Sequence, residues 1–284
     1  MEKFINPIDQ LIYTTVRIEC HSHSGSSSGS GYFYEFQIED HPIPCIVTNK
    51  HVIASSFQGR FHLSMKDKNG KADLNNHIPI EIRENFESCW ILHPDTNIDL
   101  AIMPLAPLLR ELEAQDINPY FCTLCKNNIA DLNLLNTLSN MEDIIMIGYP
   151  NGLWDQQHNH PIIRKGITAT HPKLSYNNKP EFLIDAACFP GSSGSPVFLA
   201  NIGSFVNPDG ALCAGSRIAL LGTLYAGPQH TTTGEIVMMN IPTTPKPVSI
   251  SSIPNNLGLV IHVNKLNEFE EILRTEIFTK TSEE

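Results

Sequence analysis

Gly191-Ser192-Ser193-Gly194-Ser195-Pro196 follows Asp185-Ala186-Ala187-Cys188-Phe189-Pro190 and leads into the apolar run Val197-Phe198-Leu199. The pattern is that of a serine on a tight, glycine-flanked turn just ahead of a strand. A nucleophilic hydroxyl needs exposure on a strained turn and N–H groups aimed where a carbonyl oxygen becomes an oxyanion. Gly191, two residues before Ser193, permits backbone angles that turn its N–H inward, and Gly194 leaves the path of the acyl group open. This reading makes Ser193 the nucleophile and the N–H groups of Gly191 and Ser193 the oxyanion hole. Ser195 falls two residues too late and should face the other way.

A serine hydroxyl is inert near neutral pH without a base and a group to orient that base. Ile46-Val47-Thr48-Asn49-Lys50-His51-Val52-Ile53 is a β-branched run that places His51 where a strand gives way to a turn. In Asn97-Ile98-Asp99-Leu100-Ala101-Ile102-Met103 an aspartate heads an apolar run, where its carboxylate can be buried against an imidazole. The candidate catalytic residues His51, Asp99 and Ser193 thus occur in the order His, Asp, Ser. Subtilisins and α/β-hydrolases use other orders.

On these three motifs the chain resembles the chymotrypsin-like (trypsin-fold) serine peptidases, nearest the bacterial HtrA-type and glutamyl-endopeptidase-type branch. Weaker echoes run alongside: Gly29-Ser30-Gly31 before the histidine, Ile147-Gly148-Tyr149-Pro150 and Gly166-Ile167-Thr168 before the serine, and Leu221–Gly227 and Asn256–Ile261 after it. The resemblance covers roughly residues 10–265. It implies a mainly β fold of two six-stranded antiparallel β-barrels with a C-terminal α-helix. Residues 1–110 would form the N-terminal barrel carrying His51 and Asp99, and 111–140 the connection. Residues 141–264 would form the second barrel, with Ser193 and the S1 pocket, and 265–284 a helix and tail. No PDZ-like domain is expected after the second barrel, which departs from most HtrA-type proteases. It further implies peptide-bond hydrolysis through an acyl-enzyme, with no cofactor and no metal, and a polypeptide as the partner. An activating or regulatory protein partner is also implied, because many relatives hold the oxyanion loop inactive until one binds. The alternative from another class is a pseudoprotease, a latent trypsin-fold binding module.

The resemblance also locates substrate-binding residues: Ala187, Cys188, Phe189 and Pro190 before the nucleophile, and Leu224, Tyr225, Ala226 and Gly227 on the strand after it. A trypsin-like pocket carries a carboxylate where the motif places Ala187, and a glutamyl endopeptidase carries a histidine where Leu224 stands. With no cation to meet it, a buried glutamate side chain would be costly, so a small or medium apolar P1 residue is expected. The Pro/Thr/Ser-rich stretch 228–255 lies beside the substrate strand and is a candidate gate for the cleft.

Composition agrees with this reading. A chain of 284 residues with 41% apolar content can bury a core that two barrels share. Its net charge of −11 argues against nucleic acid or an anionic membrane surface as partner. The start Met1-Glu2-Lys3-Phe4-Ile5-Asn6-Pro7 lacks a cationic segment followed by an apolar one, so no secretory signal is expected. Seven cysteines, an odd number with none beside the histidine motif, read as reduced thiols in a cytoplasmic protein. Cys122-Thr123-Leu124-Cys125 is a lone pair without a second at zinc spacing. Cys20-His21-Ser22-His23 and His158-Asn159-His160 read as solvated loops.

Overall fold

In a computed structural model the described backbone comprises residues 7–227, 229–232, 251–254 and 256–280. The first sheet contains β1 (Thr15–Ser22), β2 (Gly25–Ile38), β3 (His41–Thr48), β4 (Ser56–Lys66), β5 (Ala72–Ile82), β6 (Ile91–Leu92), β7 (Ala101–Pro104) and β8 (Pro119–Tyr120). Its strand order is β5-β4-β1-β2-β3-β7-β6, with β8 beside β4. Then come β9 (Asp143–Gly148), β10 (Ile162–Thr168), β11 (Glu181–Asp185) and β12 (Pro196–Asn201). A hairpin of β13 (Ser204–Val206) and β14 (Leu212–Ala214) precedes β15 (Arg217–Ala226). β16 (Gln229–Thr232) pairs with β17 (Ser251–Pro254), and β18 (Leu257–His262) completes the set. Strands β10-β11-β18-β15-β12-β9 close into a six-stranded antiparallel barrel.

The two units are not alike. The sequence leads to two closed barrels, but the first unit is an open sheet, and no ladder joins β5 to β6 among the described residues. Strand β6 has only two residues, and both pair with β7. Side chains fill that end instead. Phe86, fully buried, sits 5.8 Å by ring centroid from both Phe61 and Trp90.

Strand alternation explains how the two units join. Successive side chains on a strand point to opposite faces, and here both faces are covered. On β2, Tyr32, Tyr34, Phe36 and Ile38 enter a core shared with the barrel, while Phe33 enters the first sheet's own core. On β3, Val47 faces the shared core and Ile46 the other. The barrel repeats the rule: Ile145 and Ile147 of β9 meet the shared core, while Ile144 and Met146 fill the barrel interior. The catalytic candidates therefore lie on two units packed through one continuous apolar layer.

A helix runs from Phe269 to Lys280 after a 3-10 turn at Val263–Glu268. Leu266, Phe269 and Leu273 are buried in the shared core, with Ile272 packed against it. The candidate gate 228–255 lies outside the described residues apart from the β16–β17 ladder. No described helix is long and apolar enough to cross a membrane. The seven cysteines are unbridged.

Candidate active site

β3 ends at Thr48, and Asn49 in extended conformation opens the short helix Lys50–Ile53 that carries His51. Asn49 is fully buried, and its side-chain N–H donates to the Asp99 carbonyl at 2.7 Å. That bond fixes the segment entering β7 against the histidine turn. The Asp99 carboxylate then meets His51 twice. Oδ1 accepts from the His51 backbone N–H at 3.1 Å, and Oδ2 lies 2.5 Å from Nδ1. A carboxylate can only accept, so Nδ1 of neutral His51 carries the proton and Nε2 presents a lone pair. About half of the His51 side chain, 49%, is exposed, so that lone pair is reachable from solvent.

The serine turn is built from the opposite unit. Phe189 and Ser192 close a turn through Ser192 N–H to the Phe189 carbonyl at 3.0 Å. Pro190 leads it and Gly191 follows at φ +86°, the left-handed region a type II turn requires. The Pro190 carbonyl accepts from Asn151 N–H at 2.6 Å. In a trans peptide the N–H points opposite to the carbonyl, so the Gly191 N–H is turned away from Asn151. A Cβ on Gly191 would lie 2.7 Å from the Tyr149 carbonyl, so side chains are excluded as well. Among the described residues neither Gly191 N–H nor Ser193 N–H has an acceptor.

Three bonds tie this turn to its surroundings. Ser30 N–H donates to the Ser193 carbonyl at 2.8 Å, and Ser30 Oγ donates to the Gly191 carbonyl at 2.9 Å. Gly194 N–H donates to the Leu224 carbonyl at 2.8 Å. The reason for Gly194 differs from the one read in the sequence. Its φ is +87°, and a Cβ there would sit 1.9 Å from the Ser30 carbonyl, so it permits the two units to touch. The Ser193 hydroxyl donates to the Tyr225 carbonyl at 3.3 Å rather than to His51. Ser195 is fully buried, as its place in the turn requires.

His51, Gly191 and Ser193 line one cleft of about 420 Å³ with Cys188, Phe189, Pro190, Leu224, Tyr225 and Gly227. Burial pushes the Cys188 thiol up to about 12, so it stays neutral in the wall. Ala187 does not line the cleft. Ala186 and Cys188 are buried in the barrel core, and Ala187 is half-buried. The side chain of Ala226 lies outside the described residues. Asp185 is exposed, away from the cleft. A second cavity of about 430 Å³ adjoins Asp99, Glu181 and Tyr225. The Tyr225 phenol donates to the buried Glu181 carboxylate at 2.5 Å; burial, then that bond, raises the phenol's pKa.

Other motifs take structural roles. Cys20 is buried, His21 Nδ1 lies 2.8 Å from Ser26 Oγ, and His160 Nε2 lies 3.3 Å from the Tyr13 hydroxyl. Asn151 and Glu181 escape motif reading, and Ser30, quoted within the Gly29-Ser30-Gly31 echo, is given no role there. Glu181 heads the apolar run Phe182-Leu183-Ile184, the same signal that singles out Asp99.

The profile of the trypsin-like peptidase domain matches residues 29–206, a stretch that contains His51, Asp99 and Ser193. No curated protein matches the chain. Among solved structures, the serine endoprotease from Yersinia pestis is 17% identical with a TM-score of 0.47, over 94% of this chain and 65% of its own. The HtrA-type protease AlgW with tripeptide is 15% identical with a TM-score of 0.46, over 94% of this chain and 62% of its own. A protease from M. tuberculosis in its active form is 14% identical with a TM-score of 0.46, over 92% of this chain and 82% of its own. The chain thus spans less than two thirds of the length of the first two. By the profile match over most of its length, the chain belongs to the trypsin-like peptidase family.

Proposed function

We propose that the chain is a serine endopeptidase. The supporting observation is the double contact of Asp99 with His51, a residue that lines the same cleft as Ser193. His51 Nε2 takes the hydroxyl proton as Ser193 Oγ forms a bond to the peptide carbonyl carbon. The same proton passes to the leaving amine as the carbon–nitrogen bond breaks. Asp99 holds the imidazole tautomer and stabilises the imidazolium. Gly191 and Ser193 N–H groups stabilise the tetrahedral oxyanion, each contributing roughly 3–4 kcal/mol. Water then hydrolyses the acyl-enzyme by the reverse steps.

The residues around Ser193 support a small or medium apolar P1 side chain: Leu224, Leu257 and a neutral Cys188 line the cleft. We assign His51 and Asp99 to an N-terminal unit, 1–110, and Ser193 to a C-terminal one, 141–264. The Ser193 bond to Tyr225 instead of His51 favours a second reading, a latent module that binds peptide without cutting it. Incubating wild type and Ser193→Ala with casein and sequencing the products decides between them. Cleavage by wild type only, after apolar residues, supports the proposal; an intact substrate that still binds both forms supports the latent module.

A further inference from the structure

The turn that aims the Gly191 N–H is braced from the unit that carries His51. Asn151, whose N–H holds the Pro190 carbonyl at 2.6 Å, sits at φ +52°. A residue other than glycine keeps that left-handed backbone only where its surroundings over-determine it. On one side Tyr149 is fully buried, and its N–H donates to Ser30 Oγ. On the other, the Gly152 and Leu153 N–H groups close the turn onto the Tyr149 and Pro150 carbonyls at 2.9 Å. The Leu153 side chain is 59% exposed and anchors nothing. The next anchor is Trp154, three residues from Asn151 and so within about 11 Å of it.

Trp154 lies among side chains from three strands of the first sheet. Its ring centroid is 4.7 Å from that of His62 on β4 and 5.6 Å from that of His77 on β5. Arg17 of β1 places its guanidinium 5.4 Å from the same ring. The residues that follow strap the indole down. Asp155 and His160 exchange backbone bonds at 2.9 and 3.2 Å. His77 Nε2 donates to the Gln156 carbonyl at 2.9 Å, and His158 Nδ1 to the Leu74 carbonyl at 2.8 Å. The Asn159 side-chain N–H donates to the His62 carbonyl at 3.1 Å.

We propose that Trp154 is a positioning residue for the oxyanion hole: clamped by Arg17, His62 and His77, it holds the Asn151 turn so that the Gly191 N–H keeps its aim. The inference rests on the assignment of Ser193 as nucleophile and of Gly191 N–H as oxyanion donor. Without the clamp the left-handed Asn151 relaxes, and the Pro190 carbonyl loses its donor. The carbonyl and N–H of one peptide point in opposite directions, so rotation of the Pro190–Gly191 peptide carries the Gly191 N–H out of the cleft. Asp99 and His51 are held by separate bonds and stay in place. The unit that supplies the base thus also aims a donor on the opposite unit.

The test uses the full chain with an Ala-Ala-Leu p-nitroanilide and an Ala-Ala-Leu trifluoromethyl ketone. The ketone forms a hemiketal: Ser193 Oγ bonds the ketone carbon, the hydroxyl proton passes to His51, and the former carbonyl oxygen becomes an anion in the hole. Trp154→Ala lowers kcat about thirtyfold, less than the roughly 10²–10³ of deleting a donor outright. It raises the ketone's Ki by about the same factor and leaves KM within about threefold. Trp154→Phe, which keeps a ring in the clamp, stays within about threefold of wild type in kcat. His77→Leu, which removes one ring and leaves the indole, lowers kcat about fivefold with KM again unmoved, so the test survives a Trp154→Ala chain that does not fold. A folded Trp154→Ala chain with wild-type kcat, or losses carried by KM instead of kcat, overturns the proposal. A wild type that neither cleaves the anilide nor binds the ketone removes Ser193 as nucleophile, and this inference with it.

Discussion

Asp99 grips His51 from two directions, with Oδ1 on the backbone N–H at 3.1 Å and Oδ2 on Nδ1 at 2.5 Å. The first contact sets where the histidine turn sits, and the second sets its tautomer. Asp99→Asn keeps the shape but can donate toward Nδ1, which favours the wrong tautomer. We predict a loss in kcat on the order of 10⁴-fold with the fold retained, read from peptide hydrolysis beside a thermal melt. A loss below about tenfold would remove Asp99 from the catalytic role.

Gly194 and Gly210 have nearly the same backbone, φ +87° and +83°, in different surroundings. A Cβ at Gly210 meets nothing within 4 Å, whereas one at Gly194 meets the Ser30 carbonyl. Gly210→Ala should therefore cost only the left-handed strain, about 1–2 kcal/mol. Gly194→Ala adds a clash with backbone and should exceed about 3 kcal/mol. Urea unfolding of the two variants makes the comparison, and equal losses would contradict it.

Ser30 connects the units by accepting from Tyr149 N–H at 2.9 Å while donating to the Gly191 carbonyl. Its own carbonyl accepts from Thr48 Oγ1 at 2.7 Å, next to the histidine turn. Ser30→Ala strands a buried N–H and loosens the carbonyl of Gly191. A destabilisation of about 1–3 kcal/mol is expected, with a larger fractional loss of activity than stability alone explains. Activity measured at a temperature where the variant is fully folded separates the two effects.

His62 is held neutral. Burial, then the charge of Arg17, lowers its pKa from 6.5 to about 4. Glu19 lies 3.7 Å from its Nε2 but is already paired with Arg17 and Arg60. Between those two values the unfolded chain binds more protons than the folded one. The stability contribution is thus fully present above about pH 6.5 and lost as pH falls toward about 4. A His62→Asn variant should show a flatter decline across that window in urea titrations, and an unchanged slope would sink the idea.

Local pattern singled out the three candidates because each sits near a strand end marked by its own neighbours: Thr48-Asn49 before His51, Ile98 before Asp99, Gly191 and Gly194 around Ser193. The resemblance implied a helix and tail over 265–284, and the α-helix starts at Phe269, after the 3-10 turn Val263–Glu268. Closure of the first sheet was not legible. It depends on which strands pair at the β5 and β6 edges and on Phe86 and Trp90 packing there, neither of which has a period. The roles of Ser30 and Asn151 were invisible for a different reason: each acts through bonds to a turn distant in sequence. That Cys188, and not Ala187, lines the cleft depends on the irregular path of the chain after β11 ends at Asp185, which has no period to read.

The central claim is that Ser193, His51 and Asp99 form a working nucleophile with an open oxyanion hole. Exposure of wild type and Ser193→Ala to a fluorophosphonate, read by intact mass and peptide mapping, tests it most directly. One adduct on Ser193 of the wild type and none on the variant is the predicted result. A folded wild type that gains no adduct, or a Ser193→Ala variant that gains one as readily, would contradict it.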